Sequence, residues 1–438
     1  MCTSRILTKN QSSLAAQVYK INERSGVLMA DGTMENQVIR RLICPPMILL
    51  YGALYLVGGW LLTPERLFWS LWGYSKSAAV NVEAMLLVLA SVSAFSALYS
   101  FGKKFIFRSE MKSLQALEKQ SRPLANFGLF MLSQSLIVTL SSVGLANILE
   151  LGRTTALKRA FSEHAVEGLT SMATLLLGYI LTLGAVLVTC KSRKMKTRFG
   201  VLLVLIVFYN LLISERINMF IVLVGLTLII IRRRKIKFSV IILFLSVALL
   251  MGILVFSFLQ AACWNYYAQN PSVGEILIFG IEQFSLYGAI NIRNLSSLVS
   301  SDSAFRGGGM SFIQPLVGIG LLRFYDDYLS VYSSGLIRSG AGTFSAYGEF
   351  FLDFGWFSLL LWAAWGFISG AIWMSANVNW FFEPLNALNL AVLAISFQIG
   401  PVRTRTVFSL LAILVPMIIM TIVNGNFSQQ CSTRRSSL

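Results

Sequence analysis

Apolar runs of about twenty residues alternate with short polar breaks along most of the chain. A helix rises about 1.5 Å per residue and satisfies its own backbone, so such runs bridge a hydrocarbon core about 30 Å thick. The long runs are 42–63, 79–101, 126–149, 167–189, 238–260, 351–374 and 406–424, and shorter ones lie at 199–213, 218–231 and 385–402. The expected fold class is therefore all-α, a polytopic membrane protein of about ten transmembrane helices. Residues 1–41 are polar, mixed in charge and without an early apolar core, which predicts a cytoplasmic leader rather than a cleavable signal. Helices one to seven then occupy 42–260, one large extracytoplasmic loop 261–350, helices eight to ten 351–424, and a cytoplasmic tail 425–438.

Composition agrees with that pattern. Of the 438 residues 56% are apolar and only 13% charged, against about 25% charged in ordinary soluble domains. The five cysteines form no metal-like pair, and one histidine, His164, cannot build a histidine metal site alone. A disulfide scaffold, a zinc enzyme and a histidine-based triad are disfavoured, and no metal or cofactor is expected. The net charge of +17 raises the question of nucleic acid. Its Lys and Arg fall between apolar runs instead of along one solvated face, so membrane topology explains them and no nucleic-acid partner is expected.

Basic loops orient the spans, since Lys and Arg near span ends are retained on the cytoplasmic side. The leader, the loops around Lys103–Arg122, Lys191–Arg198 and Arg232–Lys237, and the tail pair Arg434 and Arg435 all fall inside, with both termini cytoplasmic. Twelve basic residues remain outside. Two are lysines, Lys76 and Lys158; the others are Arg66, Arg153, Arg159, Arg216, Arg293, Arg306, Arg323, Arg338, Arg403 and Arg405. A planar five-donor fork suits phosphate oxygens better than a hydrated ammonium does, so an Arg-biased outer face fits a phosphate ligand. Chance and interfacial snorkelling are the plain alternative.

Between Arg198 and Arg232, two basic ends enclose too few residues for two full crossings, which need about 40. The polar centre Ser214-Glu215-Arg216-Ile217-Asn218 should then lie below the outer headgroups, in a cavity opening outward. An ionisable pair at that depth is a functional hypothesis by default. Glu215 and Arg216 could neutralise one another, but helical neighbours point about 100° apart and do not face each other. Arg216 is the expected cavity-facing phosphate ligand.

The outer loop opens on Cys263-Trp264-Asn265-Tyr266-Tyr267, an interfacial aromatic anchor. Over 273–300 the near-helical spacing of Ile276, Ile278, Ile281, Phe284 and Leu286 predicts an amphipathic helix lying on the membrane. Glycines and arginines follow, at Arg306-Gly307-Gly308-Gly309, Arg323 and Arg338-Ser339-Gly340. Consecutive glycines allow close backbone approach to an anion; an ordinary flexible glycine loop is the other reading. Glu349 and Asp353, four apart at the re-entry into the membrane, share one face if helical. They serve either as general base or sugar-hydroxyl acceptors, or as caps near a helix N-terminus. Arg403 and Arg405 lie on the side where positive charge is disfavoured. Either they face the same anionic ligand, or the span count is off by one near 375–402.

The Ser-Glu-Arg turn between short helices, the large outer loop and the motif Tyr347-Gly-Glu-Phe-Phe-Leu-Asp-Phe-Gly355 together resemble the Wzy-type O-antigen or oligosaccharide repeat-unit polymerases. The resemblance covers about residues 190–425. It implies a GT-C-like fold of the ligase/polymerase type in the cytoplasmic (inner) membrane, working at the outer face. It also implies a glycosyltransferase that takes undecaprenyl-diphosphate-linked glycans as donor and acceptor, for O-antigen or capsule, with a chain-length regulator as a possible partner. Arg216, Arg306, Arg323, Arg338, Arg403 and Arg405 would hold the diphosphate, and Glu215, Glu349 or Asp353 would act as base or hydroxyl acceptor. Related ligases depend on a histidine in the large outer loop; His164 falls outside it, which favours polymerase. A transporter or flippase of lipid-linked oligosaccharide is the other class to separate. Such transporters usually carry internal repeats and evenly sized loops, which this chain lacks.

Overall fold

The computed structural model describes residues 34–67, 80–106, 167–189, 192–212, 216–233, 271–300, 345–397 and 409–414, with shorter helical pieces inside 123–141 and 239–257 and the turn at 308–309. Among the described residues every regular element is helical: α1 (Met34–Leu42), α2 (Pro45–Leu62), α3 (Val82–Gly102), α4 (Glu167–Thr189), α5 (Arg193–Leu212), α6 (Arg216–Arg233), α7 (Val273–Ser300), α8 (Ala346–Phe354), α9 (Ser358–Val378) and α10 (Glu383–Ala394). Four stretches are long and apolar enough to cross a membrane, namely Pro45–Leu62, Val82–Gly102, Val273–Ser300 and Ala346–Val378.

Small residues set the helix register. A Cβ at Gly366 would overlap the Phe95 carbonyl, and one at Gly370 the Tyr99 carbonyl. The two contacts advance together along both helices, so α3 and α9 run parallel with backbones touching, a close approach that only glycine permits. Cys44, at the start of α2, lies within electrostatic reach of Lys103 at the end of α3, so that pair is antiparallel. Gly184 meets Leu226 and Gly225 meets Leu181, which sets α4 and α6 side by side in the same direction. Helices α5 and α6 form the hairpin, closed near its tip where Asn218 Nδ2 donates to Asn210 Oδ1 at 3.1 Å. Both amides are buried.

These directions collect the described basic residues from Arg40–Arg41, Lys103–Lys104, Arg193–Arg198 and Arg232–Arg233 at one end of the bundle. We call it the basic end and the opposite one the far end. Two apolar cores fill the space between. One gathers α4, α5, α6 and α10 around Leu181, Ile206 and Ile229; the other gathers α2, α3, α7, α8 and α9 around Leu56, Phe95 and Trp362.

Helix α7 lies across the far end. Arg66 pairs with Glu282 and Thr63 Oγ1 with Ser285 Oγ, just beyond α2. Two turns and more further on, Asn81, the N-cap of α3, bonds Ser296 and Ser300. Both sets of partners sit at the far end of the α2–α3 pair, so this half of α7 packs on that pair; the helix is itself long and apolar enough to cross a membrane, whereas the sequence pattern predicts a surface helix in an outer loop.

One expected span is refined and one is corrected. The run 351–374 lies within a stretch long and apolar enough to cross a membrane, as expected, but it is entered through a hairpin and only its part from Ser358 onward belongs to one helix. Tyr347 stacks on Trp362 with ring centroids 4.7 Å apart, whereas fifteen residues of continuous helix would separate them by about 22 Å. The chain reverses at Gly355, whose φ of 55° lies in the left-handed region. The run 385–402 is not one helix either, because α10 ends at Ala394 and turns over 395–397. Its turn holds the start of α8: the Ala346 amide donates to the Ser396 carbonyl at 2.8 Å. Ser396 Oγ also faces Gly52, in the middle of α2. Helix α8 therefore begins halfway along the bundle and climbs to the far end before α9 descends.

Candidate functional site

Glu349 and Asp353 are the two predicted site residues whose surroundings are on view. The apolar residues of Ala346–Phe354 pack on every side, against α7, α9 and the Trp362 ring, so α8 is buried all round. Its two acids go in with it. Each is 2% exposed, and their spacing places both on one face. They therefore sit inside the bundle.

The helix dipole separates their roles. Glu349 lies in the first turn, where a negative charge is favoured, so capping accounts for it. Asp353 lies in the last turn, where the same dipole opposes it, and capping cannot account for that residue. A buried carboxylate is retained against a desolvation cost of several kcal/mol in order of magnitude.

Polar atoms without protein partners surround the acid helix. The Tyr347 hydroxyl, Ser345 Oγ, Ser358 Oγ, Trp362 Nε1 and Ser396 Oγ are buried and make no hydrogen bond. Nearer the basic end both amide atoms of Asn386 are in the same state. Buried polar groups are nearly always paired with protein, water or ligand. Such atoms are of the kind that water or a hydroxyl group satisfies, in a setting that is otherwise aromatic. Tyr347, Trp362 and Trp365 stack in sequence, and Trp365 Nε1 donates to Asn389 Oδ1 at 2.9 Å.

Arg216 opens α6 as its first residue, on the hairpin that Asn210 and Asn218 close. Glu215, Arg306, Arg323, Arg338, Arg403 and Arg405 lie outside the described residues. The segment carrying Arg306, Arg323 and Arg338 leads directly along the chain into Ser345 and α8.

Sequence reasoning missed a second charged centre, at the basic end. Glu383 is fully buried; Arg232 Nε donates to its Oε1 at 2.7 Å, and Arg233 Nη2 stands 2.8 Å from its Oε2. Arg232 also donates to Asn377 Oδ1 at 2.9 Å and lies 3.9 Å over the Trp373 ring. Desolvation and the neighbouring Arg232 lower the pKa of Arg40, against the pull of Glu383. The sequence signal was a lone acid in the otherwise uncharged stretch 375–402, opposite a basic loop that had been read only for orientation. Among the described residues no group of His, Cys, Asp and Glu could hold a metal. Compared with protein-family models, with curated proteins and with solved structures, the chain matches none.

Proposed function

We propose that the protein polymerises undecaprenyl-diphosphate-linked oligosaccharide repeat units at the outer face of the cytoplasmic membrane, with the basic end inward. The orientation draws support from the gathering of basic residues from four chain segments at one end. The observation that carries the reaction is the acid pair Glu349 and Asp353, buried in a re-entrant helix among unpartnered polar atoms.

In this reading the growing chain is the donor. A terminal hydroxyl of the incoming repeat unit attacks the anomeric carbon of that chain, the bond from carbon to the diphosphate oxygen breaks, and undecaprenyl diphosphate departs. The hydroxyl proton passes to Asp353 or Glu349 as general base. Arg216, with Arg306, Arg323, Arg338, Arg403 and Arg405, neutralises the charge developing on the leaving group. The stacked rings of Tyr347 and Trp362 hold α8 in place, so the acids are fixed by packing.

The test is conversion of purified lipid-linked repeat units by the purified protein. Longer lipid-linked chains are expected, and their loss in Asp353→Asn with membrane insertion intact. Transfer to lipid A core would identify a ligase instead, and movement across vesicles without new bonds a transporter; either outcome overturns the proposal.

A further inference from the structure

The basic end holds more positive charge than its partners neutralise. Three guanidinium groups, those of Arg40, Arg232 and Arg233, surround one carboxylate, Glu383. Glu383 Oε1 accepts from Arg232 Nε, while Oε2 accepts no hydrogen bond: Arg233 Nη2 lies 2.8 Å from it but donates to the Ala376 carbonyl. Arg232 has one further group to satisfy: its side chain is 4% exposed, and its Nη1 is buried with no acceptor. A buried donor left without an acceptor costs free energy out of proportion to what the bond would return. An unsatisfied guanidinium donor in a cluster of three guanidinium groups and one carboxylate is a place where an anion is favoured.

Access comes from the side of α1. Arg40 is exposed there, while the next residue back, Ile39, is buried against Ile231 of α6. The short helix α1 is strongly amphipathic and carries Arg40 and Arg41 in its last turn. Such a helix lies in the plane of a membrane surface, where its basic residues meet headgroup phosphates. A guanidinium fork matches the oxygens of a phosphate with paired hydrogen bonds.

We propose that Arg40, Arg232 and Arg233 form a binding site for a phosphate-bearing anion at the basic end, between α1 and the adjoining ends of α6 and α9. The phosphate supplies the acceptor that Arg232 Nη1 lacks and offsets the excess charge of the cluster. It thereby ties the α1 leader to the ion pair that joins α6 to α10. The site is independent of the polymerase reading, since it lies at the other end of the bundle from α8's far tip. Two sources supply this chemistry, the headgroup of an anionic phospholipid and free phosphate, and electrostatic attraction to an anionic leaflet serves the first.

Thermal unfolding of the full chain tests it, in nanodiscs of phosphatidylcholine alone and of phosphatidylcholine with phosphatidylglycerol, and separately in neutral detergent with inorganic phosphate. The wild type is expected to gain several degrees in Tm with phosphatidylglycerol, as ligand binding to the folded state requires. That gain should fall by half or more in Arg40→Gln or in Arg233→Gln. The control Lys194→Gln with Lys196→Gln removes two exposed charges from the same end and should keep it. An equal gain with inorganic phosphate identifies a small-anion site, and a gain confined to the lipid identifies a headgroup site. No gain under either condition, a gain that survives both arginine substitutions, or an equal loss in the lysine control overturns the proposal.

Discussion

Gly59 of α2 and Gly288 of α7 face each other at backbone contact: a Cβ at Gly59 would lie 2.8 Å from the Gly288 Cα, and one at Gly288 2.8 Å from the Tyr55 carbonyl oxygen. Around them Tyr55 OH bonds the Phe284 carbonyl and its ring packs on Phe284 and Phe397. This crossing seats the covering helix on the bundle. Phe397 belongs to the turn after α10, whose Ser396 holds the start of α8, so the same crossing reaches the acid helix.

Replacing Gly288 by Val should therefore unseat α7, because backbone on both sides leaves nothing that can yield. The expected cost is about 1–3 kcal/mol, in the range of overpacked cores. Cysteine crosslinking between residues 81 and 300, which the Asn81–Ser300 bond brings together, should drop in this variant and stay unchanged in Gly58→Val, where a Cβ meets nothing within 4 Å.

Asp353→Asn should abolish chain growth in the conversion assay, whereas Glu349→Gln should reduce it by a smaller factor. The dipole at the start of α8 already accounts for part of the role of Glu349. Gel separation of the lipid-linked products by length reads both. Equal, full activity in the two variants would remove the carboxylates from the chemistry.

Glu383→Ala should be the most destabilising single change at the basic end, at about 3–5 kcal/mol, because it strands the buried guanidinium of Arg232 beside the part-buried one of Arg233. Glu383→Gln keeps the shape and an acceptor and should cost less. Thermal unfolding in a neutral detergent ranks the two, and a reversed order would refute the ion-pair account.

The Asn210–Asn218 bond lends itself to a double-mutant cycle. Either Asn→Leu alone should cost about 0.6–1.7 kcal/mol, the span measured for hydrogen bonds between membrane helices. The double substitution should cost less than the sum, since no orphaned amide remains. Strict additivity would mean that the amides act separately.

Most helices were legible from hydropathy because desolvation acts locally: an apolar run of the right length must form a helix wherever lipid surrounds it. That argument placed α2, α3, α4 and α6 within a few residues of where they lie, and amphipathic spacing placed α7. It misjudged 385–402, where α10 ends at Ala394, and it missed the reversal at Gly355 that opens the 351–374 span, since hydropathy reports burial and not direction. It also assigned Arg232 and Arg233 to orientation alone, because their acid lies 151 and 150 positions away in the chain.

Sequence by itself determined that this is a chain of apolar helices, which segments are basic, and that Glu349 and Asp353 share a helix face. Those properties depend on a residue's own transfer energy and on helical spacing. Only the tertiary structure decided that α8 starts halfway along the bundle and that its acids are buried. It alone brought Glu383 between two arginines. Those outcomes depend on contacts between residues distant in the chain, such as Ala346 with Ser396, Tyr347 with Trp362 and Arg232 with Glu383, and no local pattern encodes which of many apolar surfaces will meet.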